Sequence, residues 1–257
     1  MEGIMKFIAL TLAATSLLIS CNGHTSGSGV IEGTVLDQAT VDKFEKELLS
    51  RKPGMVTLSK ELGKYASIEW NENTGAFESK IDTIDEVEKQ TILKVDGDNI
   101  YTLSETQDYR EVRKESIRKI IHELTHEMPD GSVLSTNGNI LTLKFNAGWS
   151  FDYETNGHQL SQSSEVAVTA SINLDDIRCS ENSLMHAVNT ATVDGQPIKL
   201  PDTTSTNTGS CSPSLSKAEL RQIPLKDVSF CDETVDSSDE DDSNCTYNVD
   251  MSDLVAE

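Results

Sequence analysis

The segment from Phe7 to Ile19 carries no charged side chain and is mostly apolar, with Lys6 in front of it and Cys21 just beyond it. About 13 residues are too few to cross a bilayer core, but they fit the hydrophobic region of a secretory signal peptide. Residues 1–20 are therefore read as a leader. Export constrains the remaining chain strongly, because it places the folding domain where thiols oxidise. Beyond Cys21 there are four cysteines, Cys179, Cys211, Cys231 and Cys245. An even number in an exported chain points to two disulfides. Sequential pairing, Cys179–Cys211 and Cys231–Cys245, is expected, because the intervening segments are too weakly patterned to fix distant partners.

A plain signal peptide ends in a small-x-small cleavage site. Leu18-Ile19-Ser20-Cys21 instead resembles the lipobox of bacterial lipoprotein precursors. The resemblance implies a diacylglycerol thioether on Cys21, cleavage just before it, and acylation of the new amine with a fatty acid such as palmitate. Each buried methylene contributes roughly 0.8 kcal/mol, so two or three chains anchor a protein firmly where one does not. The implied partner is a lipid membrane, and the implied location is the cell envelope. Asn22, rather than Asp, after the cysteine favours the outer membrane over the inner in enterobacterial sorting. Residues 21–29 are rich in Gly and Ser and read as a flexible tether.

The net charge is −22, and the last Lys or Arg is Lys226. Such a surface repels nucleic acid, which is set aside as a partner. The acidic stretch near the C-terminus places Asp239, Asp241, Ser243 and Asp250 at positions 1, 3, 5 and 12 of an EF-hand-like loop, a weak calcium pattern. Asn244 stands where that loop needs Gly, and no amphipathic helices flank it.

Hydrophobic periodicity gives the fold expectation. Val41 to Leu49 reads as a short helix capped by Thr40. Ser67–Trp70 with Ala76–Ile81, and Thr91–Val95 with Ile100–Leu103, read as hairpins around Asn73-Thr74-Gly75 and Asp96-Gly97-Asp98. Asp108 to Met128 reads as one long amphipathic helix with Ile117, Ile120, Ile121, Leu124 and Met128 on its apolar stripe. Another hairpin follows around Asn137-Gly138, and then Val166, Val168, Ala170 and Ile172 alternate. After Asp175 the apolar pattern thins, and Thr203 to Ser214 reads as a linker. The expected class is α+β: antiparallel hairpins with one long helix packed on the sheet. Residues 30–175 form the domain, and 176–257 form a disulfide-stapled, poorly structured, acidic extension.

One chemical motif stands out. His122-Glu123-Leu124-Thr125-His126 resembles the HExxH signature of zinc metallopeptidases. In that family His122 and His126 would bind zinc and Glu123 would be the general base. The motif's family continuations are missing, which leaves Glu154, Glu165, His158 and His186 as third-ligand candidates, Glu154 foremost. On a helix the two histidines lie roughly 145–185° from the apolar stripe. They share their face with Glu115 and Lys119, as on a solvated surface. No Gly-x-Ser-x-Gly occurs, and Trp149, Phe151 and Tyr153 alternate as core or groove residues do. The leading expectation is a membrane-anchored envelope lipoprotein acting as a structural or binding module without a cofactor. The alternative is a tethered zinc-dependent metallopeptidase.

Overall fold

The structure, a computed structural model, describes residues 36–126, 132–234 and 244–255, excluding the side chains of 123–126. It is mainly β, not α+β: one twelve-stranded mixed sheet carries the chain. The strands are β1 (Val56–Asn71), β2 (Ala76–Asp96), β3 (Asn99–Glu105), β4 (Arg110–Ser116), β5 (Val133–Asn137) and β6 (Ile140–Thr155). They continue with β7 (His158–Asn173), β8 (Asn182–Val193), β9 (Gln196–Ile198), β10 (Thr203–Ser212), β11 (Val228–Asp232) and β12 (Cys245–Val249). Their order is β12-β11-β4-β3-β2-β1-β10-β8-β7-β6-β5, with β9 paired to β8. Every pairing is antiparallel except that of β11 with β4.

Among the described residues three α-helices accompany the sheet: α1 (Gln38–Leu49), α2 (Ile117–His126) and the single turn α3 (Lys217–Leu220). The Asp37 side chain caps α1, its Oδ1 accepting from the Thr40 N–H at 2.9 Å. The hairpin turns form where the sequence placed them. Gly97 and Gly138 sit at φ 60°, a left-handed conformation that glycine adopts without a Cβ penalty.

The long helix expected over 108–128 is half strand. Arg110–Ser116 pairs with β3 on one side and β11 on the other, and only Ile117–His126 is helical. Alternation decides this. Val112 is fully buried against Leu103 and Leu225, whereas Glu111, Arg113 and Glu115 point to the opposite face. Two flanking strands satisfy the backbone of 110–116 and bury Val112, which outweighs a modest helix propensity. Ser116 then opens α2, its Oγ accepting from the Lys119 N–H at 3.4 Å. Glu115 is therefore not a helical neighbour of Lys119, whose Nζ instead reaches the Glu233 carbonyl at 3.0 Å.

The C-terminal third is not a poorly structured extension. It supplies β8 to β12, and β10 and β8 lie in the middle of the sheet, between β1 and β7. The stretch 203–214, read as a linker, is mostly strand β10. Thr203, Ser205 and Asn207 alternate inward with exposed Thr204, Thr206 and Thr208. The alternation is regular, but the buried side chains are polar. Both disulfides form, Cys179–Cys211 and Cys231–Cys245.

The sheet curls on itself. Ile92 and Ile100 of β2 and β3 share one core cluster with Leu141 of β6 and Ile172 of β7, although β2 and β6 are several strands apart in the sheet order. Phe44 and Leu48 of α1 and Ile117 and Ile120 of α2 complete that cluster, so the helices lie between the two arms. The opposite face of β2–β3–β4–β11 is covered by Leu215, Leu220, Leu225, Met251 and Leu254. At the other end, Ala66 and Ile68 of β1 pack against Leu160 and Ala191 of β7 and β8. These β1 residues have the opposite parity to Ser59 and Glu61. The change falls beyond Gly63, where pairing with β10 stops and the β1–β2 ribbon is free to twist. Among the described residues, no helix is long and apolar enough to cross a membrane.

Candidate functional site

The face of the sheet that meets α1 and α2 is apolar at their level and polar beyond it. Cross-strand register fixes which side chains share it, because directly opposed residues point the same way. One row across β2, β1, β10 and β8 reads Glu86, Glu61, Asn207, Ser183. The next row reads Glu88, Ser59, Gly209. Ser59 Oγ donates to Asn207 Oδ1 at 2.6 Å, Gln90 Nε2 donates to Glu88 Oε1 at 3.1 Å, and the Ser205 hydroxyl donates to Glu61.

A short crossing segment lies over β10. Its 3-10 turn, Ile177–Cys179, packs Ile177 into the helical core cluster and is tied to β10 by Cys179–Cys211. Two residues on, Glu181 sits above Gly209, whose N–H donates to the Glu181 carbonyl at 2.6 Å. A Cβ at 209 would stand 3.2 Å from that carbonyl oxygen and 3.3 Å from the Glu181 Cβ. The glycine thus makes room for Glu181 over the floor of the site.

Four oxygens in this patch are buried without a hydrogen-bond partner among the described residues: Glu61 Oε1, Glu88 Oε2, Glu181 Oε1 and Ser183 Oγ. A buried polar atom left unpaired costs on the order of 1–3 kcal/mol, more when charged, so four in one place form an unusual concentration. Protonation relieves part of that cost. Burial pushes the Glu61 carboxyl up to about 7, with the Glu86 charge adding to the rise and Ser205 opposing it. Burial also pushes Glu181 up to about 8, and the charge on Glu88 reinforces it. Burial likewise raises Tyr109, with the charges of Glu88 and Glu111 reinforcing it. Next door, Glu111 pairs with Arg113, and burial pushes Glu115 up against the opposing pull of Arg51 and Arg113. This surface offers hydrogen-bond acceptors and titratable carboxyls close to neutrality. Groups of that kind mark functional sites more often than structural ones.

The residues singled out from sequence lie elsewhere. Cys21 is outside the described residues, as are Asp239, Asp241 and Ser243. Asp250 accepts from the Ser252 N–H and Oγ at 3.0 and 2.6 Å, closing a turn. His122 is exposed on α2, and the side chains of Glu123 and His126 lie outside the description. Glu154 is exposed at the far end of β6, hydrogen-bonded to Gln159. That position is roughly 40 Å along the strand from Leu141, where α2 packs, so Glu154 does not join the histidines. His158 contacts Asp194 at 2.7 Å and packs on Trp70 and Phe77, and His186 is exposed on β8. Glu165 lies on β7, opposite Gly148 of β6 and Val188 of β8. The HExxH segment thus acquires no third ligand among these, and no catalytic step is derived from it. Trp149, Phe151 and Tyr153 stack in a ladder along β6, with centroids 5.2 and 5.4 Å apart.

Among the described residues, one His/Cys/Asp/Glu group is tight enough for a metal ion: Glu111, Cys231 and Cys245. Both sulfurs are consumed in a disulfide and offer no thiolate. None of Glu61, Glu88 and Glu181 belongs to a sequence motif. The signal available for them was β10's alternation of inward polar residues, which continues the acidic rows. Compared with known proteins, the chain matches no family model, no curated protein and no solved structure.

Proposed function

We propose that this protein is a lipid-anchored binding module of the bacterial cell envelope, holding its curled sheet off the membrane on a short tether. The lipobox-like Leu18-Ile19-Ser20-Cys21 supports the anchor, and the Gly/Ser-rich residues after it support the tether. The binding role rests on one observation above all, the four buried oxygens of Glu61, Glu88, Glu181 and Ser183 that have no partner among the described residues. A purely structural module gains nothing from them, whereas a binding module places its unpaired groups where a ligand supplies the partners. The net charge of −22 keeps nucleic acid and anionic headgroups away from the sheet.

The anchor is tested by Cys21→Ser in a bacterial host. The expected result is loss of palmitate labelling and transfer of the protein from the membrane to the soluble fraction. Undiminished labelling and membrane partitioning in the variant would refute the anchor.

A further inference from the structure

We infer that Glu61, Glu88, Glu181 and Ser183 receive a small organic cation, an ammonium or guanidinium compound with several N–H donors, rather than a bare metal ion. This rests on the reading of the inner face as a binding surface and names what that surface takes.

The sign of the ligand follows from the lining. The unpaired carboxylate oxygens of Glu61, Glu88 and Glu181 accept only and the Ser183 hydroxyl can accept, while the Arg178 Nη1 on the crossing segment is an unpaired donor among the described residues. The charges acting on Glu61 and Glu181 come from Glu86 and Glu88, both negative. Facing the same patch are Glu86 and Glu88 from β2, Tyr109, Glu111 and Arg113 from the β4 side, and Ser205 and Asn207 from β10. The crossing segment adds Arg178. Arg113 is engaged with Glu111, and Arg178 sets one positive charge against the carboxylates of Glu61, Glu86, Glu88 and Glu181, so a surplus of negative charge remains for an incoming cation to balance.

Two polar side chains point to a ligand independently of the charge count. Glu88 and Ser183 are each only 5% exposed, yet Glu88 Oε2 and Ser183 Oγ have no partner. The Glu88 carboxylate acts on Glu181, which places the two carboxyls toward one another across Ser59. Entry is open, because Glu61, Glu86 and Glu181 are only partly buried.

The spread of the oxygens separates a metal from an organic cation. One ion draws its ligand oxygens into a single tight shell. The carboxylates of Glu61, Glu88 and Glu181 do not gather within 4.8 Å of one another, and the group that does is the disulfide-bound one. An ammonium or guanidinium compound donates through separate N–H groups at about 2.9 Å each, so its donors can serve oxygens that one ion cannot bridge. On binding, Glu61 and Glu181 release their protons to solvent, and N–H···O bonds replace them.

Isothermal titration of the detergent-solubilised full-length protein with spermidine, and separately with calcium chloride, at about 0.15 M salt tests the inference. Spermidine is expected to bind saturably at one site, on the order of several hundredfold more tightly at pH 8 than at pH 6, because both Glu61 and Glu181 must be ionised in the complex. Glu88→Gln and Glu181→Gln are each expected to weaken it about tenfold or more. Ser183→Ala, which leaves the charge unchanged, should also weaken it. Glu69→Gln on the distant ribbon should leave it unaltered. Calcium binding saturably at one site, lost in Glu88→Gln, would overturn the organic cation while keeping the inner face as the binding surface. Spermidine affinity equal in all variants would show surface attraction alone and overturn the inference. Absence of saturable binding by either probe would overturn both the inference and the inner-face reading.

Discussion

Glu181→Gln should make the ligand-free protein more stable, and increasingly so as the pH rises. In the folded chain burial lifts the Glu181 carboxyl from its ordinary 4.5 to about 8. The folded state therefore holds a proton that the unfolded state has already released across pH 4.5–8. Where the native state binds more protons, stability falls as pH rises. The contribution is intact below about pH 4.5, is lost progressively up to about pH 8, and is flat above that. At about 1.36 kcal/mol per pKa unit, the loss reaches at most about 5 kcal/mol, and water entering the site reduces it. Glu61, lifted from 4.5 to about 7, adds a similar loss of at most about 3 kcal/mol. Glutamine matches the neutral acid in shape and does not titrate. Urea unfolding at pH 5 and pH 8.5 should therefore show wild type losing several kcal/mol, with an unchanged m-value, and Glu181→Gln losing distinctly less. Parallel pH dependences for the two proteins would refute the reasoning, as would a wild type that gains stability over this window.

Opening Cys179–Cys211 by a double Ser substitution should cost about 4 kcal/mol for its 32-residue separation, against about 3 kcal/mol for the 14-residue Cys231–Cys245. It should also weaken ligand binding, because the bridge holds Glu181 over Gly209, and calorimetry reads both effects. Leu103→Ala, at a side chain with no exposure between β2, β4 and the C-terminal segments, should cost about 2–5 kcal/mol in denaturant unfolding. His122→Gln, at an exposed position on α2, should change stability by no more than about 0.5 kcal/mol, and a chelator should not lower the melting temperature.

What could be read from the sequence was local. Asp96-Gly97-Asp98 and Asn137-Gly138 mark their turns because left-handed backbone restricts residue choice at those points. Phe44 and Leu48 mark α1 because one stripe of that helix is buried. The errors arose where tertiary context outweighed the local pattern. Residues 110–116 look helical beside the Ile117–Ile121 stripe, but Val112 gains a strand environment that a window of neighbours cannot contain. Thr203 to Ser214 reads as a linker because the inward residues of its strand are polar, and hydrophobic alternation finds strands only where the buried side is apolar. The same blind spot hid the site. Glu61, Glu88 and Glu181 lie far apart in the chain, and they meet only through the β2–β1–β10 register and a disulfide-tied crossing segment.

The central claim, that buried carboxyls on the inner face await a cationic partner, is tested most directly by a ¹³C carboxyl NMR titration of the solubilised protein with and without spermidine. Without it, the Glu61 and Glu181 carboxyls should titrate near 7 and 8. With saturating spermidine, both midpoints should fall, because an opposite charge in contact favours the ionised form. Midpoints near 4.5 in the free protein, or raised midpoints that spermidine leaves unmoved, would contradict the claim.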